Sequence, residues 1–511
     1  MVARISTVAF VGIDTLKIDV QVQLVGGQQK MMIVGLPDKA VDESRERLRS
    51  VFAHYGLSLP PKGIVINLSP ADVPKEGSHY DLPIALALLG EMGILDKEEL
   101  LSYLAMGELA LDGRLLPTVG TLPAALQAVE GNIKFICPIL SAQEASWSGH
   151  DGIIAAPSLM AVINHIQGNE LLPGVVQKEF IVNPVQYFSD GRKIPNWSEV
   201  RGQENAKRAM EVAAVGGHHV LLLGPPGAGK SLLAQAMAGI LPPMTARERL
   251  ETSLIHSLAG SLPEGGIMTA RPYRDPHHSA SMPAVIGGGQ RAKPGEISLA
   301  HNGVLFLDEI PEFHRTTLES LRQPLETGRA VIARVNAHVS YPADFQMIAA
   351  MNPCKCGYLL DERLSCSRAP RCGEEYRDRL SGPLLDRIDI YLEVNALPPA
   401  ELAEKKPGED SMVVRGRVER AVGFAQARIK KLGLSDLVKR NADLEGDDLE
   451  QAAPLNKECQ MLLTRSAKEL HLSARGWFRT IRLARTIADM EESNAIERHH
   501  LAEALTYRFR R

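Results

Sequence analysis

Apolar and polar positions over residues 1–170 follow two patterns, short runs with the period of strands and longer segments with the period of helices. The strand-like runs are Ile18 to Val25, Gly63 to Leu68 and Ile133 to Cys137, and the helical segments are Lys39 to His54, Leu82 to Leu89 and Ala124 to Val129. This mixture predicts an α+β or α/β domain over residues 1–170. Residues 171–195 contain turn residues without a sustained period, as in Leu172-Pro173-Gly174, and are predicted to form a linker.

Three short apolar runs follow, at Val220 to Leu223, Val304 to Leu307 and Gln346 to Met351, and each ends in polar residues. Runs of this length and composition are typical of buried strands. A helical pattern at Glu204 to Ala214 precedes the first run, and residues 396–511 are mainly helical in pattern. The sequence therefore predicts an α/β core over 196–395 and an α-helical C-terminal region over 396–511.

The first run leads into a glycine-rich stretch that fits the phosphate-binding loop pattern at every fixed position. Glycines let successive backbone N–H groups turn toward one anion, and the following helix presents its positive end. We expect Lys230 to reach the terminal phosphates and the Ser231 hydroxyl to ligate Mg²⁺. The predicted ligand is a nucleoside triphosphate; the alternative is a glycine turn between a core strand and a helix. The loop comprises Gly224, Pro225, Pro226, Gly227, Ala228, Gly229, Lys230 and Ser231.

The second and third runs supply two acids and an amide. Asp308 is predicted to hold the Mg²⁺ shell and Glu309 to orient and polarise the attacking water. Asn352 can hydrogen-bond that water or the terminal phosphate without adding charge, which is the role of a sensor. Each residue alone could equally be a solvated strand end or a turn residue. Downstream of a phosphate-binding loop, they indicate ATP hydrolysis.

Two arginines suit a role at the nucleotide. Arg387, in Ser381 to Ile390, is predicted to be a finger presented to the nucleotide of a neighbouring subunit, with a salt bridge to Asp386 or Asp389 as the alternative. Arg475 begins a series of arginines on one helical face and is predicted to be a second sensor. The other members of that series are Arg479, Arg482 and Arg485.

Composition limits the class of protein without choosing its function. The 511 residues suggest two to four domains, and a hydrophobic fraction of 45% with a charged fraction of 23% is that of a globular protein. No apolar run approaches the ~18 residues that a membrane span needs, so we expect a cytoplasmic protein without membrane contact. The net charge of −4 gives no general attraction to nucleic acid, so DNA binding requires a local basic surface.

This ordered set resembles the AAA+ ATPases of the helix-2-insert branch, which includes magnesium chelatase ATPase subunits and the MCM helicases. Together with the N-terminal region, it is most similar to the ComM/YifB family of magnesium-chelatase-like proteins, and the likeness covers nearly the whole chain. Its most specific strings are Arg271 to Ser279, Pro294 to Gly303 and the segment around Arg387.

The resemblance implies a hexameric ring that uses ATP and Mg²⁺ to act as a DNA helicase. In this family the implied activity is branch migration at DNA junctions during the recombination of natural transformation. The alternative from a different class is a chelatase-type regulatory AAA+ ATPase that acts on a protein partner. Stimulation of ATP hydrolysis by branched DNA distinguishes the two.

The N-terminal region resembles the proteolytic domain of Lon-type proteases, a ribosomal S5 domain 2-like α+β fold. The likeness lies in Pro74 to Ala85 and Gly107 to Pro117, but the position of the catalytic serine falls at or near His79. No lysine occurs between Arg114 and Lys134, where the resemblance implies the catalytic partner. Because a Ser–Lys dyad needs that lysine to accept the hydroxyl proton, we expect this domain to be proteolytically inactive.

DNA contacts are expected from two basic segments. A strand, turn and return strand around Arg334 resemble the hairpin that MCM helicases project into their pore, with Arg334 at the basic tip. The insert before Asp308 carries an excess of cations over nearby acids, and pore-facing cations grip phosphates without sequence preference. These cations could instead bind neighbouring subunits or ATP. The insert cations are Arg271, Arg274, Arg291 and Lys293.

Two further groups could bind a metal. His277 and His278 are adjacent in a predicted extended segment, which points their side chains to opposite sides, so we assign them a structural or DNA-contacting role. Four cysteines within nineteen residues can supply a tetrahedral Zn²⁺ shell that supports the loop, with free or redox-active thiols as the alternative. They are Cys354, Cys356, Cys366 and Cys372.

Overall fold

A computed structural model describes most of the chain. The described residues are 2–176, 187–188, 190–289, 292–334, 337–357, 359, 367–397 and 408–508, and for residues 333, 334, 337 and 338 they include the backbone only. Within these ranges, no helix is both long and apolar enough to cross a lipid bilayer.

The N-terminal residues form a mixed seven-stranded sheet in the order β3-β4-β2-β1-β5-β8-β9. Strand β2 shows why these residues form a sheet with one buried face: Ile18, Val20 and Val22 are buried, and polar residues separate them. The elements are β1 (Ala3–Val11), β2 (Asp14–Val25), β3 (Met31–Val34), α1 (Lys39–His54), β4 (Gly63–Ser69), α2 (Asp81–Glu91), β5 (Tyr103–Ala105), β6 (Glu108–Leu109), β7 (Leu115–Leu116), α3 (Thr121–Gly131), β8 (Lys134–Pro138), α4 (Ala142–Ser146), β9 (Ile153–Ala156) and α5 (Leu159–Ile166).

The central residues form a five-stranded sheet in the order β11-β14-β17-β10-β18, with every pair parallel. All six residues of its middle strand are buried, as expected for a strand covered on both faces. The elements are α6 (Glu204–Gly216), β10 (Val220–Leu223), α7 (Lys230–Met237), α8 (Ala246–Ala259), β11 (Tyr273–Arg274), α9 (Met282–Ile286), β12 (Gly287–Gly288), β13 (Lys293–Pro294), α10 (Glu296–Leu299), β14 (Val304–Leu307), α11 (Arg315–Ser320), α12 (Arg322–Thr327), β15 (Arg329–Arg334), β16 (Ala337–Pro342), β17 (Gln346–Met351), α13 (Arg371–Arg377), α14 (Gly382–Leu385) and β18 (Ile390–Glu393).

The C-terminal residues are helical, which confirms the pattern found in the sequence. Leu483 and Ile487 of the helix Ala474–Met490 pack in one apolar cluster with Val212 of α6 and with Val418 of the helix Ser411–Leu432. This cluster joins the C-terminal helices to the back of the five-stranded sheet. The helices are α15 (Ser411–Leu432), α16 (Gly446–Ala452), α17 (Lys457–Glu469), α18 (Ala474–Met490) and α19 (Arg498–Thr506).

The seven-stranded sheet contacts the central part of the chain at two places. The Glu144 carboxylate accepts a hydrogen bond of 2.5 Å from the Ser257 hydroxyl of α8, and the Trp147 indole N–H donates one of 2.7 Å to the Gly265 carbonyl. At the turn between β1 and β2, a Cβ on Gly12 would lie 2.9 Å from the Val339 side chain of β16. The N-terminal sheet therefore braces both α8 and the β15–β16 hairpin.

Candidate nucleotide-binding site

The topology of the parallel sheet brings the predicted nucleotide residues together. Strands β10, β14 and β17 are neighbours, and their carboxyl ends lie at the same edge of the sheet. The phosphate-binding loop follows β10, Asp308 and Glu309 follow β14, and Asn352 follows β17. Ligand sites in open parallel sheets lie at this edge.

The phosphate-binding loop depends on glycine at two places. A Cβ on Gly224 would lie 2.1 Å from the Val394 carbonyl oxygen, so no other residue fits where the loop leaves β10. Gly229 has a φ of +90°, a left-handed conformation that glycine adopts without a steric cost, and α7 begins at the next residue. The loop therefore holds the shape that turns backbone N–H groups toward an anion.

Lys230 links the loop to the sensor amide. Its ammonium group donates to the Gly224 carbonyl at 2.7 Å, to the Pro225 carbonyl at 2.9 Å and to the Asn352 amide oxygen at 3.0 Å. Burial lowers the pKa of Lys230, and the nearby Asp308 carboxylate acts in the opposite direction. All three acceptors are uncharged, so the ammonium charge remains available to phosphate oxygens.

Ser231 and Asp308 are placed to share a cation. The Ser231 hydroxyl donates to the Asp308 carboxylate over 2.9 Å. Oxygen donors of this kind suit Mg²⁺, which takes a few protein ligands and completes its shell with phosphate oxygens and water. These two side chains therefore fit the metal that the phosphate-binding loop requires.

The backbone of Glu309 is fixed, whereas its carboxylate is open to solvent. Its φ is +51°, its N–H donates to the Asp308 carboxylate at 2.9 Å, and its carbonyl accepts from the Glu312 N–H at 2.7 Å. Its side chain is about half exposed at 48%. A non-glycine residue in the left-handed region carries a conformational cost, and such residues cluster at functional sites.

Arg387 and Arg475 converge on Glu326, at the end of α12. The Arg387 guanidinium is 4% exposed and bonds to the Glu326 carboxylate, whereas Arg475 is exposed and lies 3.6 Å from the same carboxylate. Burial, together with repulsion from neighbouring arginines that include Arg475, lowers the pKa of Arg387. The salt bridge that the sequence suggested as an alternative for Arg387 exists, but with Glu326 and not with Asp386 or Asp389.

The other arginines of α18 hold the C-terminal helices in place. Arg479 pairs with Asp389 at 2.8 Å, Arg482 pairs with Glu445 at 3.1 Å, and Arg485 is fully buried against Asp489. Arg475 at the start of the helix is the member of this series that remains exposed. This difference supports the choice of Arg475 as the residue that faces a ligand.

The structure corrects the expectation that Arg271 and Arg274 face DNA. Arg271 bonds to the Pro242 and Asn302 carbonyls at 2.7 Å and to Glu248 at 3.1 Å, and Arg274 forms a two-point ion pair with Glu296 at 2.6 and 2.8 Å. Bidentate pairing with a carboxylate occupies the same edge of a guanidinium that would grip a phosphate. Both groups are thus used inside the subunit.

Two of the remaining DNA candidates, Lys293 and Arg334, lie on short hairpins. Lys293 is exposed on β13, which pairs antiparallel with β12. Arg334 ends β15 opposite Ala337 of β16, and the connecting residues 335–336 and the Arg334 side chain lie outside the described residues. Arg291 also lies outside them.

The N-terminal segment in which the sequence resembles Lon-type proteases holds its polar residues in internal contacts. The His79 ring is buried and lies 2.9 Å from the Val8 carbonyl, and burial lowers its pKa to about 4. Ser78 sits in a short 3-10 turn and donates to Glu108, while Lys75 donates to the Pro70 carbonyl. Within the described residues, no lysine is bonded to the Ser78 hydroxyl.

Comparison with known proteins agrees with this arrangement. The family profile described as magnesium chelatase, subunit ChlI, matches residues 196–402, and related ChlI profiles match residues 20–141 and 408–508. The uncharacterized protein YifB of Escherichia coli is 41% identical over 99% of this chain and 96% of its own length. Competence protein ComM of Haemophilus influenzae is 40% identical over 98% and 96%. The chain belongs to the YifB/ComM family of magnesium-chelatase-like AAA+ proteins.

A more distant relative covers less of the chain. The magnesium-chelatase 38 kDa subunit of Rhodobacter capsulatus is 26% identical over 63% of this chain and 89% of its own length. AAA+ proteins of this type use ATP with Mg²⁺, which agrees with the contacts of Lys230, Ser231 and Asp308. Membership of the YifB/ComM family therefore indicates ATPase activity.

In this YifB/ComM protein the cysteine loop touches the phosphate-binding loop. Cys354 is buried, and its sulfur lies 2.9 Å from that of Cys356; Cys372 is partly exposed, and Cys366 lies outside the described residues. A Cβ on Gly357 would lie 2.7 Å from Pro226 of the phosphate-binding loop. Two close thiols are compatible with a thiophilic metal and with a redox-active pair.

Sequence reasoning missed two neighbours of the predicted site. Glu326 belongs to no sequence motif, and only the fold brings it close to Arg387 and Arg475. His277 and His278 do not point to opposite sides as expected, because their ring centroids are 4.1 Å apart, and His278 lies 3.7 Å from the Glu309 carboxylate. The sequence carries no signal for this contact, because it follows from the pairing of β11 with β14, which the structure shows.

Proposed function

We propose that this protein is a ring-forming, ATP-driven motor that remodels branched DNA. The observation that carries the proposal is the packing of two hairpins, which carry Lys293 and Arg334, in the same chain as the residues predicted to bind nucleotide. The Tyr341 hydroxyl of β16 donates to the Ala292 carbonyl at 2.9 Å, and a Cβ on Gly287 of β12 would lie 2.8 Å from Ile332 of β15. These two contacts pack the hairpins against each other, and we infer that Lys293 and Arg334 serve one DNA-binding surface.

Hydrolysis uses the residues at the edge of the parallel sheet. Lys230 binds the terminal phosphates, and Ser231 with Asp308 holds Mg²⁺, which when bound neutralises developing phosphate charge. Glu309 orients the attacking water and accepts its proton, because its carboxylate is accessible while its backbone is fixed. Asn352 contacts the water or the phosphate with its amide.

The site is completed by a second copy of the chain. Arg387 and Arg475 share the Glu326 carboxylate, and we propose that Arg387 stabilises phosphate charge on a neighbouring subunit's nucleotide, while Arg475 is the second sensor that engages nucleotide when the C-terminal helices close on it. A closed ring, which the family resemblance implies to be a hexamer, gives every nucleotide such a neighbour. When subunits assemble, we expect the ion pairs of Glu326 with the two arginines to break so that the arginines can bind phosphate groups.

The biological setting proposed is recombination of incoming DNA in natural transformation. It rests on the similarity to a protein named competence protein ComM. The division into residues 1–170, 171–195, 196–395 and 396–511 and a cytoplasmic location stay predictions. We propose a Lon-like fold for the first of these regions and no proteolysis, because Ser78 and His79 are held in internal contacts.

We also propose that the four cysteines bind Zn²⁺ to support the loop after Asn352. The short distance between the Cys354 and Cys356 sulfurs favours it. Structural zinc sites of this kind use thiolate ligands with no open position, so the metal has no role in the hydrolysis step. Metal analysis of the purified protein before and after chelation tests this, and an absence of zinc in protein purified without chelators would contradict it.

A three-strand branch-migration assay with ATP tests the main proposal. Purified wild-type protein is expected to exchange strands with ATP, and the Glu309→Gln variant is the matched control that binds nucleotide without hydrolysing it. ATP hydrolysis is measured with and without branched DNA. Turnover that ignores DNA, in a protein that moves no junction, would contradict the motor and favour the regulatory ATPase that the magnesium-chelatase relative suggests.

A further inference from the structure

The side chain of His278 lies beside the carboxylate of Glu309. The His278 Nδ1 atom is 3.7 Å from Glu309 Oε2, and among the described residues this is the ion-pair contact of that carboxylate. His278 does not belong to the phosphate-binding loop or to any strand end that carries the predicted site. His278 therefore lies next to the residue proposed to activate water, although it comes from a segment outside the predicted site.

Glu309 needs an outside contact to fix its carboxylate. The backbone is held by bonds to Asp308 and Glu312, and the next residue, Ile310, is fully buried. These contacts set the start of the side chain but leave its terminal torsions free, and the carboxylate is 48% exposed. A freely rotating carboxylate samples many orientations, of which few can receive a proton from an in-line water.

The fold, in turn, fixes the His278 ring. It lies edge-on to Phe313 at a centroid distance of 6.4 Å and against the His277 ring at 4.1 Å. Phe313 is a core residue with 5% exposure, and the His277 Nδ1 atom lies 2.7 Å from the Ser279 hydroxyl. Packing on both sides leaves the Nδ1 edge of His278 turned to Glu309.

We propose that His278 is a positioning residue for ATP hydrolysis: its Nδ1–H holds one oxygen of the Glu309 carboxylate, which leaves the other oxygen to take the proton of the attacking water. The inference rests on the proposed ATPase function. The 3.7 Å separation is longer than a hydrogen bond, and catalytic contacts of this kind tighten when substrate is bound. His278 itself transfers no proton, so its loss affects the rate of hydrolysis and leaves nucleotide binding unchanged.

The test uses three substitutions of His278. The amide nitrogen of asparagine replaces the Nδ1 donor at nearly the same distance from the backbone, whereas glutamine extends past it and alanine has no donor. We expect His278→Ala and His278→Gln to lower kcat about tenfold with KM for ATP unchanged, and His278→Asn to keep most of the activity. His54→Asn is the matched control, since His54 is exposed at the end of α1, outside the elements that carry the nucleotide residues.

A double-mutant cycle separates positioning from a general structural role. In the Glu309→Asp background, which draws the carboxylate back from His278 and is expected to keep a measurable residual rate, His278→Ala is expected to cause no further loss, because the contact between the two side chains is already broken. Thermal unfolding and binding of a fluorescent ATP analogue verify that each variant is folded and loaded.

Equal loss in the alanine and asparagine variants, an effect on KM alone, or additive losses in the cycle would overturn the role of His278. Absence of ATP turnover in the wild-type protein, despite binding of the analogue, would instead overturn the proposed ATPase function and with it this inference. Turnover in the wild type with an unaffected His278→Ala variant would overturn the inference alone.

Discussion

The two large sheets of this chain use polar side chains in opposite ways. Beside the seven-stranded sheet, Asp81 at the start of α2 is fully buried and bonds to Arg47 at 2.6 Å, and His79 in the preceding turn is buried against a backbone carbonyl. At the edge of the five-stranded sheet, Asp308 and Glu309 are exposed. A polar group whose bonding capacity is met inside the fold stabilises structure, whereas one left open at a strand end can bind a ligand.

This difference shows when a sequence motif predicts a functional site. The segment that resembles Lon-type proteases has His79 at or near the position of the catalytic serine, and the fold encloses that histidine. The phosphate-binding loop has its spacing and also an open edge where the carboxyl ends of three strands meet. The predictions below test the distinction, from the largest expected effect to the smallest.

Lys230→Ala is expected to abolish nucleotide binding and every activity that depends on it. The substitution removes the ammonium group that contacts the loop carbonyls and Asn352 and that is proposed to bind the terminal phosphates. Binding of a fluorescent ATP analogue and phosphate release provide the measurements. Ser78→Ala in the other sheet is the matched control and should change neither. Normal turnover in the Lys230 variant would refute the site.

Arg387→Ala is expected to leave ATP binding intact and to lower kcat about a thousandfold, the scale seen for arginines that act in trans on phosphoryl transfer. Arg322→Ala is the matched control, because Arg322 lies near the same group but pairs with Glu319 at 2.9 Å. In a mixed ring, a Lys230→Ala subunit still supplies Arg387 to the nucleotide that an Arg387→Ala neighbour binds. Mixing the two variants should therefore restore partial turnover. Unchanged hydrolysis by Arg387→Ala alone would assign this residue to the Glu326 pair only.

Asp81→Ala is expected to destabilise the seven-stranded sheet without changing ATP turnover per folded molecule. Removal of the carboxylate leaves Arg47, which is 19% exposed, without the partner to which it makes a two-point bond, and also frees Ser44 and the Leu109 N–H. Breaking such a pair costs about 3–5 kcal/mol. Denaturant unfolding measures it, and Asp112→Ala, at an exposed pair with Arg114, should have little effect. A loss of kcat with unchanged stability would give Asp81 a functional role.

The sequence alone was sufficient where chemistry is local in the chain. The phosphate-binding loop, the two acids after β14 and the amide after β17 each adjoin their own strand, and a parallel sheet brings such strand ends together. Helix α1, predicted over Lys39 to His54, has the same bounds in the structure. Periodicity and strand ends therefore predicted which residues the structure brings together at this edge.

The rest depends on contacts between segments that no local pattern relates. Arg271 and Arg274 were expected on a DNA surface because cations exceed acids in the insert, yet Glu248 on α8 and Glu296 on α10 neutralise them across the fold. Glu326 and His278 became visible only when α12 and the segment after β11 were placed beside the site. A count of charges along the chain cannot predict which acid folds onto which base.

Arg334→Ala is the substitution with the smallest expected effect. If Arg334 is at the tip of the β15–β16 hairpin and binds one phosphate, its loss should weaken DNA binding about three- to tenfold for all sequences alike, since a phosphate contact carries no sequence preference. The slope of log affinity against log salt concentration should fall by about one, because one fewer counterion is released. DNA-independent ATP turnover should not change, because the β15–β16 hairpin is not among the elements that carry the nucleotide residues. Lys293→Ala on the neighbouring hairpin should act in the same direction, and the double variant should lose more than either alone. Arg329→Ala, at the base of β15, is the matched control. Equal affinity of wild type and Arg334→Ala at two salt concentrations would remove the hairpin from the DNA surface while leaving the nucleotide site intact.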